Sequence, residues 1–142
     1  MDTIQKSGSP KCILVIDDSP TVRAVVGLAL RCEGHEITSF PDGVAALKWL
    51  AGPQAKIPDL AVIDIGLPEL DGYQLIHLLK MRPRFAHTIC IVLSAQDGTV
   101  NLLKGRLAGA RMCLTKPCTV QTLCQAVRTC LAGESGPDMS SF

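Results

Sequence analysis

The chain has 142 residues, of which 47% are hydrophobic and 19% charged, and its formal net charge is +1. This length suits one domain with a core of ordinary size, and this composition excludes a disordered acidic or basic protein. The near balance of charge predicts no nucleic-acid partner. Neither a signal peptide nor an apolar run of about 18 residues occurs, so we expect a cytoplasmic protein without membrane insertion.

The seven cysteines do not form a metal-binding or disulfide pattern. Their number is odd, and neither a Cys-x-x-Cys pair nor a Cys/His cluster with zinc-finger spacing is present. Cys12 and Cys90 lie within apolar runs, where cysteine behaves as a small hydrophobic residue. We therefore expect most of the cysteines to pack in the core.

After a loose leader at residues 1–10, the first element is an apolar run at residues 12–16. Such a run is typical of a strand buried on both faces of a parallel sheet. Asp17 and Asp18 follow it directly. Ser19 then provides the N-cap of a helix, and the proline after it favours the first helical position.

Gly34 is expected to end this helix. Residues 35–40 alternate weakly between apolar and polar side chains and predict a second strand. Asp42 can cap a second helix, which is expected to stop before Gly52 and the proline that follows it.

A third strand is predicted at residues 60–63, and Asp64 stands where this apolar run ends. The carboxyl edge of an open α/β sheet is where ligands bind, so we expect the Asp64 carboxylate to be displayed there. Asp71 is expected to cap a third helix, and Arg82, which precedes a proline, is expected to end it.

The fourth strand is predicted at residues 88–93, with Ser94 at its end. A fourth helix is expected at about residues 98–107. A short fifth strand at residues 111–115 then delivers Lys116 to its end.

Thr119 is expected to cap a last helix, which Gly133 ends, and residues 134–142 are expected to form a mobile tail. Strands that alternate with helices predict right-handed βαβ units and one parallel sheet. The pattern occupies residues 11–133, so we expect a single domain there.

Five polar side chains follow four of these strands: Asp17, Asp18, Asp64, Ser94 and Lys116. Three carboxylates about 4 Å apart would repel one another by several kcal/mol per pair at an effective dielectric near 20. Such a cluster requires a cation, and oxygen ligands suit Mg²⁺. An ammonium and a hydroxyl group can bind phosphoryl oxygens, so we expect the Asp64 carboxylate to act as a nucleophile in phosphoryl transfer.

Four motifs resemble the signatures of the receiver domain of two-component response regulators. They are residues 16–19 (Ile-Asp-Asp-Ser), 63–72 (Ile-Asp-Ile-Gly-Leu-Pro-Glu-Leu-Asp-Gly), 93–95 (Leu-Ser-Ala) and 114–117 (Leu-Thr-Lys-Pro). The resemblance covers about residues 11–133, with the motifs in order and at the family's intervals. It implies a flavodoxin-like fold, with five parallel strands in the order 2-1-3-4-5 and helices on both faces.

The resemblance also implies the role of each acidic residue. Asp64 would accept a phosphoryl group from a histidine kinase. Asp17, Asp18 and Asp64 would hold Mg²⁺ together with the backbone carbonyl group of Gly66. The protein would then signal by binding a downstream target, with no enzymatic activity beyond its own phosphotransfer and dephosphorylation.

The same family assigns roles to the residues on the last two strands. Lys116 would contact Asp64 and then the phosphoryl group, and Ser94 would bind a phosphoryl oxygen. The peptide bond between Lys116 and Pro117 would be cis, an isomer that proline makes accessible.

The chain resembles the stand-alone receivers of chemosensory systems, which implies a chemosensory kinase and a monomer or weak dimer. Residues 71–74 (Asp-Gly-Tyr-Gln) and 104–109 (Lys-Gly-Arg-Leu-Ala-Gly) look most like those of receivers that control type IV pilus twitching motility.

Three positions depart from the family pattern. Cys113 stands where the family usually has a tyrosine or phenylalanine that changes rotamer on activation. Gly66 has no side chain with which to position a hydrolytic water, and Gln96 is polar and uncharged. Both resemble positions that set the lifetime of the phosphoryl group.

Two alternatives remain open at this point. Cys113 favours a constitutive scaffold, a receiver whose binding does not depend on phosphorylation. A flavin-binding electron carrier would suit the topology, but the chain lacks a Ser/Thr/Gly-rich phosphate loop after the first strand, where Asp17 and Asp18 would repel a phosphate.

Overall fold

A computed structural model of the chain describes residues 10–67, 69–95, 104–106 and 108–133. The main elements are β1 Cys12–Ile16, α1 Pro20–Cys32, β2 Glu36–Phe40, α2 Gly43–Leu50, β3 Leu60–Asp64, α3 Gly72–Lys80, β4 Ile89–Ser94, β5 Met112–Thr115 and α4 Val120–Leu131. Residues 104–106 and 108 are also helical. No helix within the described ranges is long and apolar enough to cross a lipid bilayer.

The five strands form one parallel sheet in the order β2-β1-β3-β4-β5. This order confirms the flavodoxin-like fold expected from the sequence. In the central strands Ile16 pairs with Ile63, and Asp64 pairs with Leu93. Because the strands are parallel and in this register, the residues that follow them meet at one edge of the sheet.

The centre of the sheet is buried on both faces. All five residues of β3 are buried, although successive side chains of a strand point to opposite faces. Helices therefore cover both faces, as is usual for a parallel sheet. This burial supplies the main apolar stabilisation of the fold.

The labelled helices begin at the predicted N-caps, whose side chains accept a hydrogen bond from a backbone N–H three residues on: Ser19, Asp42, Asp71 and Thr119. At Asp71 the cap is reciprocal, because the Gln74 side chain accepts a hydrogen bond from the Asp71 N–H. Gly34 and Gly133 follow α1 and α4 with φ angles of 98° and 84°, which are favourable for glycine.

The observed elements differ from the predicted ones mainly at their ends. Asp64 and Ser94 are the last residues of β3 and β4 and not the first residues of the loops, because the ladders to Leu93 and Thr115 continue through them. A short 3₁₀ helix at Pro83–Phe85 was not predicted.

Several predicted features lie outside the described residues. These are most of the helix expected at about residues 98–107, residues 1–9 of the expected leader, and the expected tail at residues 134–142.

The seven cysteines all lie within the described residues, and they form no disulfide bonds. Burial raises the pKa of the Cys90 thiol to about 11, although the positive charge of Lys80 acts in the opposite direction. A thiol with such a pKa is protonated at neutral pH and unreactive, which fits the packing role expected for it.

Candidate functional site

Three carboxylates meet at the carboxyl edge of the sheet. Oxygen atoms of Asp17, Asp18 and Asp64 all lie within 4.8 Å of one another. Asp17 is only 1% exposed and Asp64 only 6%, whereas Asp18 is exposed to solvent. The sequence predicted this convergence because the carboxyl ends of parallel strands share one edge, and in the structure β1 and β3 are neighbours in the sheet.

The surrounding elements hold Asp17 in one position. Its Oδ1 accepts a hydrogen bond from the Ser19 N–H at 2.9 Å, and its Oδ2 lies 3.2 Å from the Lys116 Nζ. Its carbonyl oxygen accepts a hydrogen bond from the Arg23 Nη1 at 2.7 Å, and its own N–H donates to the Phe40 carbonyl at 3.2 Å. Asp17 is therefore oriented by β2, by α1 and by the loop after β5.

Sequence reasoning missed Arg23. The signal available for it was its position in the first turns of α1, from which a long side chain can return to the end of β1. That signal is weak, because an arginine on a helix is usually solvated. Arg23 also places a positive charge next to the acidic cluster.

The Asp64 carboxylate is held by one backbone donor and one ammonium group. Its Oδ1 accepts a hydrogen bond from the Gly66 N–H at 3.0 Å, and its Oδ2 lies 3.3 Å from the Lys116 Nζ. A Cβ atom at position 66 would lie 3.7 Å from the Asp64 Oδ1. Glycine therefore leaves this side of the carboxylate uncovered.

Gly72 brings α3 against the end of β3. A Cβ atom at this position would lie 2.8 Å from the Asp64 carbonyl oxygen and 2.9 Å from the Ile65 Cα, closer than real contacts allow. The Gly72 N–H also donates to the Ile65 carbonyl at 3.1 Å. The first turn of α3 thus sets the backbone position of Asp64.

Lys116 links the carboxylates of two strands. Its ammonium contacts both Asp17 and Asp64, whereas the sequence indicated only the contact with Asp64. Burial lowers the pKa of Lys116, but Asp64 and Asp17 together outweigh it, and the net shift of this pKa is upward. Lys116 is therefore protonated throughout the physiological range.

Ser94 is 4% exposed and ends β4, next to β3 in the sheet. Its carbonyl oxygen accepts a hydrogen bond from the Lys116 N–H at 2.6 Å, which joins the two residues through the backbone. The peptide bond between Lys116 and Pro117 is cis, as the resemblance implied.

The donor set at this edge fits a hard divalent cation. Three carboxylates face the Lys116 ammonium group, and the nearby Arg23 guanidinium does not fully offset them, so the local charge is negative without a further cation. The exposed side at Asp18 leaves room for water ligands, which Mg²⁺ retains in proteins. The Gly66 carbonyl lies on the turn that follows Asp64, and its role as a ligand remains a prediction.

The structure describes two of the three positions that depart from the family pattern, Cys113 and Gly66. Cys113 is buried on β5, where the family usually has a larger aromatic side chain. Gln96 lies outside the described residues.

Comparison with known families finds a match to the response regulator receiver domain over residues 13–128. The chain is 36% identical over 116 residues to Protein PilG of Pseudomonas aeruginosa, covering 82% of this chain and 84% of PilG. It is 32% identical over 124 residues to Protein PilH of the same organism, covering 85% and 98%. It spans about half the length of several transcriptional regulatory proteins that it also matches.

Solved structures share the fold. A putative response regulator from Chloroflexus aurantiacus is 31% identical with a TM-score of 0.78, over 87% of this chain and 99% of that one. The chemotaxis response regulator CheY4 of Vibrio cholerae is 24% identical, also with a TM-score of 0.78, over 84% and 98%.

Proposed function

The chain belongs to the response regulator receiver domain family of two-component signalling, and we therefore propose that Asp64 accepts a phosphoryl group from a histidine kinase. Receiver domains are signalling proteins and not classical enzymes. The observation that carries the proposal is the Asp64 carboxylate, which is paired with Lys116 at 3.3 Å and lies beside two further carboxylates.

The transfer uses the carboxylate as the nucleophile. An Asp64 oxygen attacks the phosphorus atom of a phosphohistidine, the P–N bond breaks, and the imidazole of the kinase leaves with the electron pair. The Lys116 ammonium first pairs with the Asp64 carboxylate and then with the phosphoryl oxygens. The Ser94 hydroxyl donates a hydrogen bond to one of these oxygens.

Mg²⁺ is the proposed cofactor of this site. Asp17, Asp18 and Asp64 would hold the ion together with the carbonyl group of Gly66. When bound, the ion neutralises charge on the phosphoryl group during transfer. The support for this assignment is the surplus of negative charge in the cluster and its set of oxygen donors.

Phosphorylation replaces the −1 charge of the Asp64 carboxylate with a phosphoryl group that carries about −1.5 to −2. The added charge draws Ser94 and Lys116 inward, which shifts the population of the surface formed by the helical residues before β5, β5 itself and α4. A downstream target then recognises this surface. Binding of that target is the output of the protein.

The direct test is incubation of the chain with acetyl phosphate and Mg²⁺, followed by intact mass spectrometry. We expect one phosphate adduct, which the Asp64→Asn variant does not form. Asp59→Asn is the matched control, because Asp59 is an exposed carboxylate at the other edge of the sheet and its loss should leave the adduct unchanged. Absence of an adduct with every phosphodonor would contradict the proposal.

The pathway we propose is chemosensory control of type IV pilus twitching motility in the cytoplasm. The support is the similarity to PilG and PilH and the resemblance of residues 71–74 and 104–109 to pilus-type receivers. Deletion of the gene should reduce the twitching zone on agar. Complementation with the native chain should restore it, and complementation with Asp64→Asn should not.

A constitutive scaffold is the less favoured alternative, motivated by Cys113 at the switch position on β5. A pull-down of the target with and without beryllofluoride separates the two functions. Equal capture in both conditions indicates a scaffold, and a clear difference indicates a switch. The flavin-carrier alternative is set aside, because the chain belongs to the receiver family.

A further inference from the structure

The charged residues are segregated along the chain and across the sheet. No Asp or Glu occurs between Asp71 and Asp97, a segment that contains Lys80, Arg82 and Arg84. This segment forms α3, the 3₁₀ helix and β4, whereas most acidic residues lie earlier, around β1, β2 and β3. The end of α3 is therefore a basic corner of a molecule whose overall charge is nearly balanced.

Within this corner six exposed residues form what we call the basic-apolar patch: His77, Leu78, Met81, Arg82, Arg84 and His87. Leu78 is 37% exposed and Met81 is 67% exposed, although both are large hydrophobic residues. They lie three positions apart, so they are neighbours on the helix surface.

Hydrogen bonds hold the turn of the patch against α3. The Lys80 ammonium donates to the carbonyl oxygens of Ala86 and Thr88, which flank His87. Phe85 is buried beneath the turn, and the Arg84 guanidinium lies 5.3 Å from the centre of its ring. A partner would therefore bind a surface whose backbone is already ordered, at a small entropic cost.

The printed ion pairs between described residues do not involve the two arginines of the patch. These ion pairs join Lys56 to Glu36, Lys116 to Asp17 and Asp64, and Arg128 to Glu33. Arg82 and Arg84 are in none of them, and Lys80 is occupied by backbone carbonyls. The patch thus combines two available guanidinium groups with two exposed apolar side chains.

From this combination we infer that the basic-apolar patch binds an acidic, amphipathic segment of a partner protein. Its apolar side chains would cover Leu78 and Met81, and its carboxylates would pair with Arg82 and Arg84. Arginine and methionine are enriched in protein interfaces. Two arginines are too few for an anionic membrane, which usually requires clusters of about 4–8 basic residues, or for a nucleic acid.

The patch is remote from the phosphoryl site. α3 begins at Gly72 beside Asp64 and ends at Lys80, about 13 Å further on at 1.5 Å per residue. Binding there is therefore independent of phosphorylation. Its consequence is tethering, which keeps the chain at a high local concentration near a partner of its pathway.

A random-peptide phage selection on the full chain tests the inference. Enriched peptides should combine Asp or Glu with leucine or aromatic residues. Backbone amide shifts on titration with the best peptide should concentrate at residues 77–87. Peptides without acidic residues, or shifts concentrated elsewhere, would overturn the inference.

Two patch variants and one control variant make the test specific. The double variant R82E/R84E should weaken binding of the selected peptide about tenfold or more, since the partner's carboxylates then face like charge. Met81→Ser should weaken it several-fold. The double variant R31E/K48E changes the net charge equally on the exposed surfaces of α1 and α2 and should bind normally. Equal binding by R82E/R84E would contradict the inference.

Further binding experiments distinguish a protein partner from a membrane or a nucleic acid, and distinguish this binding from the proposed phosphorylation. Phosphatidylserine vesicles and duplex DNA should bind more weakly than the peptide, and tighter binding of either through Arg82 and Arg84 would replace the protein partner. Beryllofluoride should leave the peptide affinity unchanged. Because the peptide assay does not involve Asp64, its failure and a failure of the phosphate adduct are separate results.

Discussion

The two edges of the sheet use similar polar residues in opposite ways. At the amino edge the Asp59 carboxylate accepts a hydrogen bond from the Cys12 N–H at 2.8 Å, and the Thr88 hydroxyl donates to the Pro58 carbonyl at 2.8 Å. Each of these side chains is matched by a backbone group. At the carboxyl edge, by contrast, three carboxylates face one another and share one ammonium group.

This difference separates structural polar groups from functional ones. A side chain that forms a hydrogen bond with the backbone of another element holds the two elements together. Its contribution is to the free energy of unfolding. Carboxylates that lie close together repel one another, and a bound cation offsets this repulsion. The amino edge is therefore expected to respond to mutation only in stability, and the carboxyl edge in ion binding and phosphorylation as well.

The largest expected effect comes from Gly72→Ala at the carboxyl edge. The added Cβ would meet backbone atoms of Asp64 and Ile65 at less than 3.0 Å, so α3 must move away from β3. We expect a loss of about 2–3 kcal/mol in the free energy of unfolding, as for an overpacked core, together with slower phosphorylation. Urea denaturation and the acetyl phosphate assay measure the two effects.

The control is Gly105→Ala. A Cβ atom there would meet only ordinary contacts at 3.8 Å, on Ala110 and Tyr73. Its stability should be unchanged or raised by up to about 1 kcal/mol, since alanine favours a helix more than glycine does. Equal losses in the two variants would show that close packing at Gly72 is not the cause.

A smaller effect is expected from Asp18→Asn, which removes one negative charge from the cluster. Without divalent cations the free energy of unfolding should rise by about 1 kcal/mol, because Asp18 is exposed and its repulsion is partly screened. Added Mg²⁺ should stabilise the native chain by mass action and stabilise this variant much less. Thermal unfolding across a Mg²⁺ titration measures both.

Asp59→Asn is the matched change at the amino edge. It should not raise stability in the absence of Mg²⁺, because the Asp59 carboxylate accepts a backbone hydrogen bond and is not part of the acidic cluster found among the described residues. It should also keep the full response to Mg²⁺. If Asp59→Asn raised stability without Mg²⁺ and weakened the response to Mg²⁺, as expected for Asp18→Asn, the proposed difference between the two edges would be wrong.

The smallest expected effect concerns His35 at the amino edge, whose Nδ1 accepts a hydrogen bond from the Lys11 N–H at 3.3 Å. Burial lowers the pKa of His35, with Glu33 opposing it. A lowered pKa means that the unfolded chain binds the proton more readily, so this stability is present above about pH 6.5 and is lost as the pH falls.

His35→Gln should therefore make the loss of stability below about pH 6.5 shallower, as measured by urea denaturation at each pH. Glutamine keeps an oxygen acceptor but does not titrate. An unchanged slope in the His35 variant would assign the pH dependence to other groups.

Local patterns were sufficient for the order and type of the elements. The apolar runs indicated buried strands, and Ser19, Asp42, Asp71 and Thr119 were recognised as N-caps because capping depends on neighbours three residues away. The approach of Asp17, Asp18 and Asp64 also followed, since parallel strands end at one edge.

Other features depended on the tertiary packing of helices and loops on the sheet, which local patterns encode weakly or not at all. The Arg23 bond to the Asp17 carbonyl and the second Lys116 contact, with Asp17, require the actual packing of α1 and the loop after β5 on the sheet. The same is true of the basic-apolar patch. The sequence contains its arginines, but only the folded chain shows that neighbouring large apolar side chains are exposed and that the printed ion pairs of the described residues do not include these arginines.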